Sequence, residues 1–121
     1  MRPRWSCDIY NRMVVDQADV DLRFHALADA TRRDIVRRTL DERFSISSLA
    51  REYPMSFAAV QKHVAVLERA GLVTKRRKGR KHLVAADPAA LRSAHDALDR
   101  LESVWRERVA RMDDLLAADP D

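Results

Sequence analysis

Hydrophobic positions along this chain change their spacing several times, and each change marks an element. From about Asp16, the positions Val20, Phe24, Leu27 and Ala28 recur at helical spacing and predict a first amphipathic helix with these residues inward. Asp29 then reads as an N-cap, because its carboxylate can accept from the free amides of the next turn. ATRRDIVRRTL follows as a second helix with Ile35, Val36 and Leu40 inward. After a short break, DERF, Ser47 is placed to cap a short helix carrying Leu49 and Ala50. Tyr53-Pro54 ends it, since the residue before proline is disfavoured in helical backbone. Ser56 can cap the next helix, FAAVQKHVAVLERA, which Gly71 closes. Two short helices joined by a tight turn predict a helix-turn-helix, although this turn lacks the glycine often found there.

Beyond Gly71 the period changes. LVTKR and KHLVA predict two short strands around a Lys78-Gly79 turn, where glycine supplies the positive backbone angle a hairpin needs. Pro88 suits the first turn of a helix, and no breaker interrupts the chain after it. In that segment Leu91, Leu98, Trp105 and Met112 fall seven apart, with Ala94, Leu101 and Leu115 filling most intervening places. At ~1.5 Å per residue such a helix reaches about 40 Å, more than a small domain covers, so its excess is expected to pack on a second subunit. Residues 1–12 show no helical period; we expect a flexible arm over 1–15 and one domain over 16–121.

Composition narrows the class. A chain of 121 residues suits one domain, and 46% hydrophobic with 35% charged residues, two Gly and four Pro, suits a helix-rich soluble protein. No apolar run approaches a membrane span or a signal peptide, so no membrane partner is expected and a cytoplasmic location is. A single cysteine, Cys7, excludes an internal disulfide and a cysteine metal cluster within one chain; as a thiol switch it lacks a resolving partner. Charge is uneven: residues 1–43 carry nine Lys/Arg and eight Asp/Glu, residues 44–86 nine and two, residues 87–121 five and nine. The nets of +1, +7 and −4 point to a polyanion met by the middle of the chain.

The chemistry those residues can perform is recognition. The four histidines, His25, His63, His82 and His95, sit in elements with other roles, and no Gly-rich phosphate loop occurs, so an enzyme is not expected. On the helix from Phe57 to Ala70, Val60, Val64 and Leu67 share one face. Ala58, Lys62, Ala65 and Arg69 lie opposite, with Gln61 at the flank. Gln61 can pair with adenine, Lys62 can reach guanine or phosphate, and the amides near Ser56 can bind a phosphate. His63 lies nearer the inward edge, where a hydrogen bond that seats the helix is its first role and DNA contact its second. Along the basic hairpin, alternation sends about half of Arg76, Arg77, Lys78, Arg80 and Lys81 toward one side, for phosphate contact.

Over residues 20–117 the sequence resembles the ArsR/SmtB-like family of winged-helix transcriptional repressors. The resemblance rests on FHALADATRRDIVRRTL, with Ala30 where proline is usual; on ISSLAREYPMSFAAVQKHVAVLERAGLV; and on the wing KRRKGRKHLVAAD. VWRERVARMDDLL also looks like the end of a subgroup whose last helix carries a Trp-x-x-Arg type segment. The resemblance implies a mainly α fold with a small β-hairpin: a winged helix-turn-helix dimerising through its terminal helices. It implies a homodimeric repressor of double-stranded operator DNA, with helix 56–70 in the major groove and wing 72–86 on flanking DNA. The DNA-binding residues expected are Ser56, Phe57, Ala58, Gln61, Lys62, His63, Arg76, Arg77, Lys78, Arg80 and Lys81. The expected dimer contacts are Val20, Phe24, Leu98, Leu101, Trp105, Val109 and Met112. Gln61 stands where the family usually has serine, which shifts the expected base preference.

Members of that family often sense metals, but ISSLARE offers hydroxyls and charges in place of a cysteine ligand pair. His95 with Asp96, Asp99 and Glu102 could place two ligands on one helix face, yet a partner histidine further along is missing, and neither a metal nor another cofactor is expected. Two alternatives stay open. One is a ligand- or metal-gated sensor whose effector lies between the terminal helices. The other is a helical dimerisation module whose basic wing binds protein or nucleic acid generally. The sequence does not identify an inducer.

Overall fold

The computed structural model describes residues 17–118, so the expected arm over 1–15, Asp16 and Cys7 lie outside the described residues. Helix α1 runs over residues 17–27 and α2 over Ala30–Asp41, with strand β1 at Phe44–Ser45 and α3 at Ile46–Arg51. Then come α4 over Phe57–Arg69, β2 over Val73–Lys78, β3 over Lys81–Ala86 and α5 over Pro88–Ala118. The architecture is a winged helix-turn-helix, mostly helical, with a small antiparallel sheet.

The sheet has three strands rather than the hairpin alone, in the order β1-β3-β2. Phe44 pairs with Val84 and Ser45 with Leu83. A two-residue strand carries no period, so its partner had to be present before it could be recognised. The hairpin loop is Gly79-Arg80, one residue on from the expected Lys78-Gly79, because Lys78 pairs with Lys81. Gly79 has φ +64°, as the first position of a two-residue hairpin loop requires.

The core gathers Ile35, Leu49, Val60, Val64, Leu67, Leu72, Val73 and Val84, all fully buried. They bring α2 against β3, α3 against α4, and α4 against β2. Two expected inward positions and one expected cap shift by one or two residues. In α1 it is Ala26 that is buried while Ala28 is exposed; Val20, Phe24 and Leu27 are half-buried. In α2 Leu40 is exposed and Thr39 is buried, its hydroxyl donating to the Ile35 carbonyl at 2.7 Å. That internal bond lets a threonine occupy the core position without an unpaired hydroxyl. Ser45, not Ser47, caps α3: its Oγ accepts from the Ser48 amide at 3.1 Å, and Ile46 follows as the first buried residue.

The other caps stand where the sequence put them. Asp29 accepts from the Arg32 amide and Ser56 from the Ala59 amide. Past α4, Gly71 at φ +75° donates to the Glu68 carbonyl while the Leu72 amide donates to Leu67, the paired bonds of a Schellman turn. This turn aims the chain into the wing. Arg23 locks α1 onto the same corner, donating through Nε to the Ala70 carbonyl and through Nη1 to Ser93 Oγ of α5 at 2.8 Å.

Helix α5 spans 31 residues, about 46 Å at ~1.5 Å each. Its first turns join the domain: Ala90 and Ala94 are buried and Leu91 is half-buried. From Leu98 onward the large apolar residues Leu101, Val104, Trp105, Val109, Met112, Leu115 and Leu116 are exposed. The face runs through 90, 94, 98, 101, 105, 109, 112 and 116, a spacing of 4, 4 and 3 that follows a nearly straight helix more closely than a heptad does.

Candidate nucleic-acid interface

A recognition surface needs a helix whose apolar side is fully used and whose other side is free. In α4 the first condition is met by Val60, Val64 and Leu67, which are buried. Opposite them, Ala58, Gln61, Lys62, Ala65 and Arg69 are exposed, as expected from the helical period. Phe57 at the N-terminus is 46% exposed, beside the capping Ser56. Small residues next to a Gln and a Lys leave room for a base edge to approach.

His63 sits where α4 meets the α1–α2 corner. Its Nδ1 lies 3.3 Å from Arg32 Nη1 and 4.0 Å from Asp29 Oδ2. The guanidinium is a permanent donor, so a hydrogen bond between the two has Nδ1 accepting. Arg32 also donates through Nε to the Ala26 carbonyl at 2.7 Å and through Nη2 to His25, while Arg33 donates to Leu27 at 2.8 Å. These carbonyls end α1, where the helix runs out of amide donors; that of His25 also accepts from the Ala28 amide at 3.2 Å. The two arginines thus close α1 and tether α4 to it through His63. The hydrogen bond from the Arg32 amide holds the Asp29 carboxyl below its ordinary pKa.

A second polar cluster fixes the turn between α3 and α4. Tyr53 Oη donates to Asp34 Oδ2 at 2.6 Å, Arg38 Nε reaches the same oxygen at 2.8 Å, and Arg37 Nη2 reaches Oδ1 at 2.6 Å. Arg38 also bonds Glu52 at 3.3 Å and stacks over the Tyr53 ring. The hydrogen bonds from Tyr53 and both arginines hold Asp34 well below the usual carboxylate range. Burial, reinforced by its bond to Asp34, raises Tyr53 to about 12. The Asp34–Arg37 and Asp34–Arg38 spacings are legible on a helix; the arrival of Tyr53 from another element is not.

Between these helices and the wing lies a groove of about 410 Å³. Ser45, Ser47, Ser48 and Arg51 line it from α3 and its cap, Phe57 and Gln61 from α4, and Arg80, Lys81 and His82 from the wing, with no acidic residue among them. The structure thus brings Gln61 together with two of the expected wing cations. The hydroxyls of α3, Arg51 and His82 belong to the same groove and carried no distinguishing mark in the sequence. Strand pairing divides the remaining wing residues. Lys75, Arg77 and His82 share the face of the buried Val84, while Arg76 and Lys78 point the other way with Leu83. Arg77 is held by its own turn, with Nε donating to the Gly79 carbonyl.

Two further expectations concern α5 and α1. Leu98, Leu101, Trp105, Val109 and Met112 are all exposed, whereas Val20 and Phe24 are half-buried. His95 is exposed, with Nδ1 3.7 Å from Asp96, and among the described residues no three His, Cys, Asp or Glu side chains are grouped to hold a metal ion. Among the described residues, no helix is long and apolar enough to cross a membrane.

Known proteins share this fold. A helix-turn-helix domain family matches residues 27–76, from the end of α1 into β2. The HTH-type transcriptional regulator Rv2034 of Mycobacterium tuberculosis is 40% identical over 80 residues, 66% of this chain and 75% of that protein. An ArsR-like transcriptional regulator from Rhodococcus sp. RHA1 superposes with a TM-score of 0.72 at 32% identity, covering 82% of this chain and 93% of the other. The chain belongs to the ArsR family of winged helix-turn-helix transcriptional regulators. It is therefore a transcriptional regulator with a DNA-binding helix-turn-helix domain. A homodimeric winged helix-turn-helix domain from Mycobacterium bovis, Mb0332, shares the ArsR fold at a TM-score of 0.56 and 19% identity, over 86% of this chain and 91% of that one.

Proposed function

We propose that this ArsR-family regulator is a homodimeric repressor, present with its operator in the cytoplasm. It lays α4 of each subunit in the major groove and the wing, residues 72–86, on flanking DNA. The observation that carries this reading is the division of α4: every large aliphatic residue of its inner face is buried, and Gln61 and Lys62 stand free beside Ala58 and Ala65. Gln61 and Lys62 supply base contacts, Ser56, Phe57 and Ala58 border the helix N-terminus at the backbone, and Arg76, Arg77, Lys78, Arg80 and Lys81 supply phosphate contacts. His63 acts first by holding α4 against Arg32.

The exposed face of α5 supports the dimer. Leu98, Leu101, Trp105, Val109 and Met112, with Val20 and Phe24 of α1, offer an apolar surface too long to be tolerated in water by a lone subunit. The homodimeric Mb0332 is a precedent for pairing in this fold.

The test is fluorescence anisotropy of the protein with its own upstream intergenic DNA and with a scrambled duplex, in the presence and absence of chelator. We expect the upstream DNA to bind about a thousandfold more tightly. Gln61→Ala should change the ranking of sequences by about 1–3 kcal/mol per base contact. Arg80→Ala should weaken all duplexes alike. Equal weak binding of both duplexes by the native protein would overturn the operator reading.

A second reading, a ligand-gated repressor, is favoured by one feature. A cleft of about 410 Å³ separates α1 from α5 and is lined by Arg23, Arg92, Arg100, Asp19 and Asp96. A molecule held there would touch both helices of the proposed dimer contact and could alter the spacing of the two α4 helices.

A further inference from the structure

We propose that the cleft between α1 and α5 binds an acidic amino acid, with the ligand's carboxylates on Arg23, Arg92 and Arg100 and its ammonium on Asp19 and Asp96. This names the ligand class for the ligand-gated reading above and rests on that reading for its effect on DNA. The cleft, at about 410 Å³, is within the size range of small-molecule sites, ~300–1,000 Å³. Arg92, Asp96 and Arg100 fall four apart on one face of α5. Ala94, Leu98 and Leu101 of the apolar stripe lie across the helix from them, so a dimer formed on that stripe leaves this wall of the cleft open.

The charges that line the cleft do not neutralise one another. Arg92–Asp96 and Asp96–Arg100 both have the helix spacing at which opposite charges can meet. Yet among the described residues no ion pair joins any of Asp19, Arg23, Arg92, Asp96 and Arg100 to another of them. Arg23 is engaged elsewhere: its Nε donates to the Ala70 carbonyl at 3.2 Å, at the end of α4, and its Nη1 donates to Ser93 Oγ. One side chain of the cleft wall thus ties α1 both to the end of the recognition helix and to α5.

Both signs of charge select the occupant. Three guanidiniums and two carboxylates leave the lining at +1. An inorganic anion such as phosphate would lie against Asp19 and Asp96, a simple amine would lie against three arginines, and an apolar molecule would cover five charges without compensation. An acidic amino acid carries two carboxylates and one ammonium, and so meets both signs and the excess. Arginine's planar fork takes a carboxylate through two parallel hydrogen bonds, and a charged acceptor is stronger than the carbonyl and hydroxyl that Arg23 now holds. A ligand carboxylate therefore draws Arg23 off Ala70, and the end of α4 loses its tie to α1.

The experiment is equilibrium dialysis of labelled L-glutamate against the full-length protein without DNA, with L-aspartate, glutarate and inorganic phosphate as competitors. L-Glutamate should bind and L-aspartate should displace it. Glutarate, which lacks the ammonium, and phosphate should compete at least about tenfold more weakly. Arg92→Gln/Arg100→Gln should weaken L-glutamate by about 10- to 100-fold, and Asp96→Asn should erase its advantage over glutarate. No binding of L-glutamate overturns the proposal, as does undiminished binding by the double variant. Competition by phosphate or glutarate at the strength of L-glutamate also overturns it, in favour of a plain anion site. Both arginines are exposed, and circular dichroism checks that the variants fold. Should the double variant not fold, Arg100→Gln alone should weaken binding by about tenfold, and no change there overturns the proposal. Anisotropy with upstream DNA separates the site from its effect. Saturating L-glutamate should weaken operator binding by about tenfold. Binding in dialysis with unchanged operator affinity upholds the site and overturns the ligand-gated reading alone. Failure of the operator reading shows as equal binding of upstream and scrambled duplexes, and it leaves the dialysis result standing.

Discussion

Helix α4 and the second half of α5 are both amphipathic, and they treat their apolar faces in opposite ways. In α4 Val60, Val64 and Leu67 are at most 1% exposed, and the outward face is short and polar. In α5 Leu101, Trp105 and Met112 are 68%, 63% and 62% exposed. The first helix is finished within one chain, so its free side is available to a polar partner. The second is unfinished, and water is a poor solvent for what it presents. Amphipathicity alone therefore does not say what a helix is for; whether its apolar face is already covered does.

The comparison can be broken most severely at α5. A two-fold dimer carries each change twice, so Trp105→Ala should cost the assembly on the order of 6–10 kcal/mol, at about 3–5 per site, and convert dimer to monomer in sedimentation velocity. The monomer should keep its helical circular dichroism, because Trp105 touches little of its own domain. If Trp105→Ala stayed dimeric, α5 would not be the contact. At α4, Leu67→Ala should cost about 2–5 kcal/mol within each subunit and lower the denaturation midpoint whatever the oligomeric state.

Smaller effects sharpen the contrast by testing how α4 is held. Tyr53→Phe removes a donor to Asp34 and should cost about 1–2 kcal/mol in urea unfolding. Its pH dependence has a definite sign. Tyr53 titrates higher folded than unfolded, so its contribution is whole below about pH 10 and fades as pH rises toward 12. Asp34 is depressed by folding, so its contribution is present above about pH 4 and is lost as pH falls further. The difference between native and Tyr53→Phe midpoints should therefore shrink at both extremes, and a constant difference would remove the cluster from this role. Ser56→Ala should cost about 1 kcal/mol through loss of the α4 cap, measured the same way.

Much of this was legible in order. Asp29, Ser56, Gly71, Gly79 and Pro88 mark boundaries because each acts on the backbone within a few residues of itself. The exposed side of α4 follows from a period of 3.6 applied to a helix whose ends were known. Errors of one or two residues arose where nearby positions were both acceptable to the pattern. Ala26 and Ala28 are chemically alike, and Thr39 displaced Leu40 because its hydroxyl found a carbonyl inside α2. Ser45 displaced Ser47 as a cap because β1 ends at Ser45, and β1 exists only by pairing with β3. The groove residues Ser48, Arg51 and His82 were silent for the same reason: nothing in their own segments distinguishes them from solvated surface.

The sequence by itself determined the elements, their order, the basic middle of the chain and the face of α4 that stays free, since periodicity, capping and charge act over one or two turns of backbone. Only the tertiary structure decided the third strand, the Arg32–His63 and Tyr53–Asp34 links that seat α4, and the division of wing cations between two faces. It also decided where along α5 the domain stops covering its own apolar surface, between Ala94 and Leu98. Those outcomes depend on residues tens of positions apart meeting in space, and the free energy that selects them comes into being when the core closes.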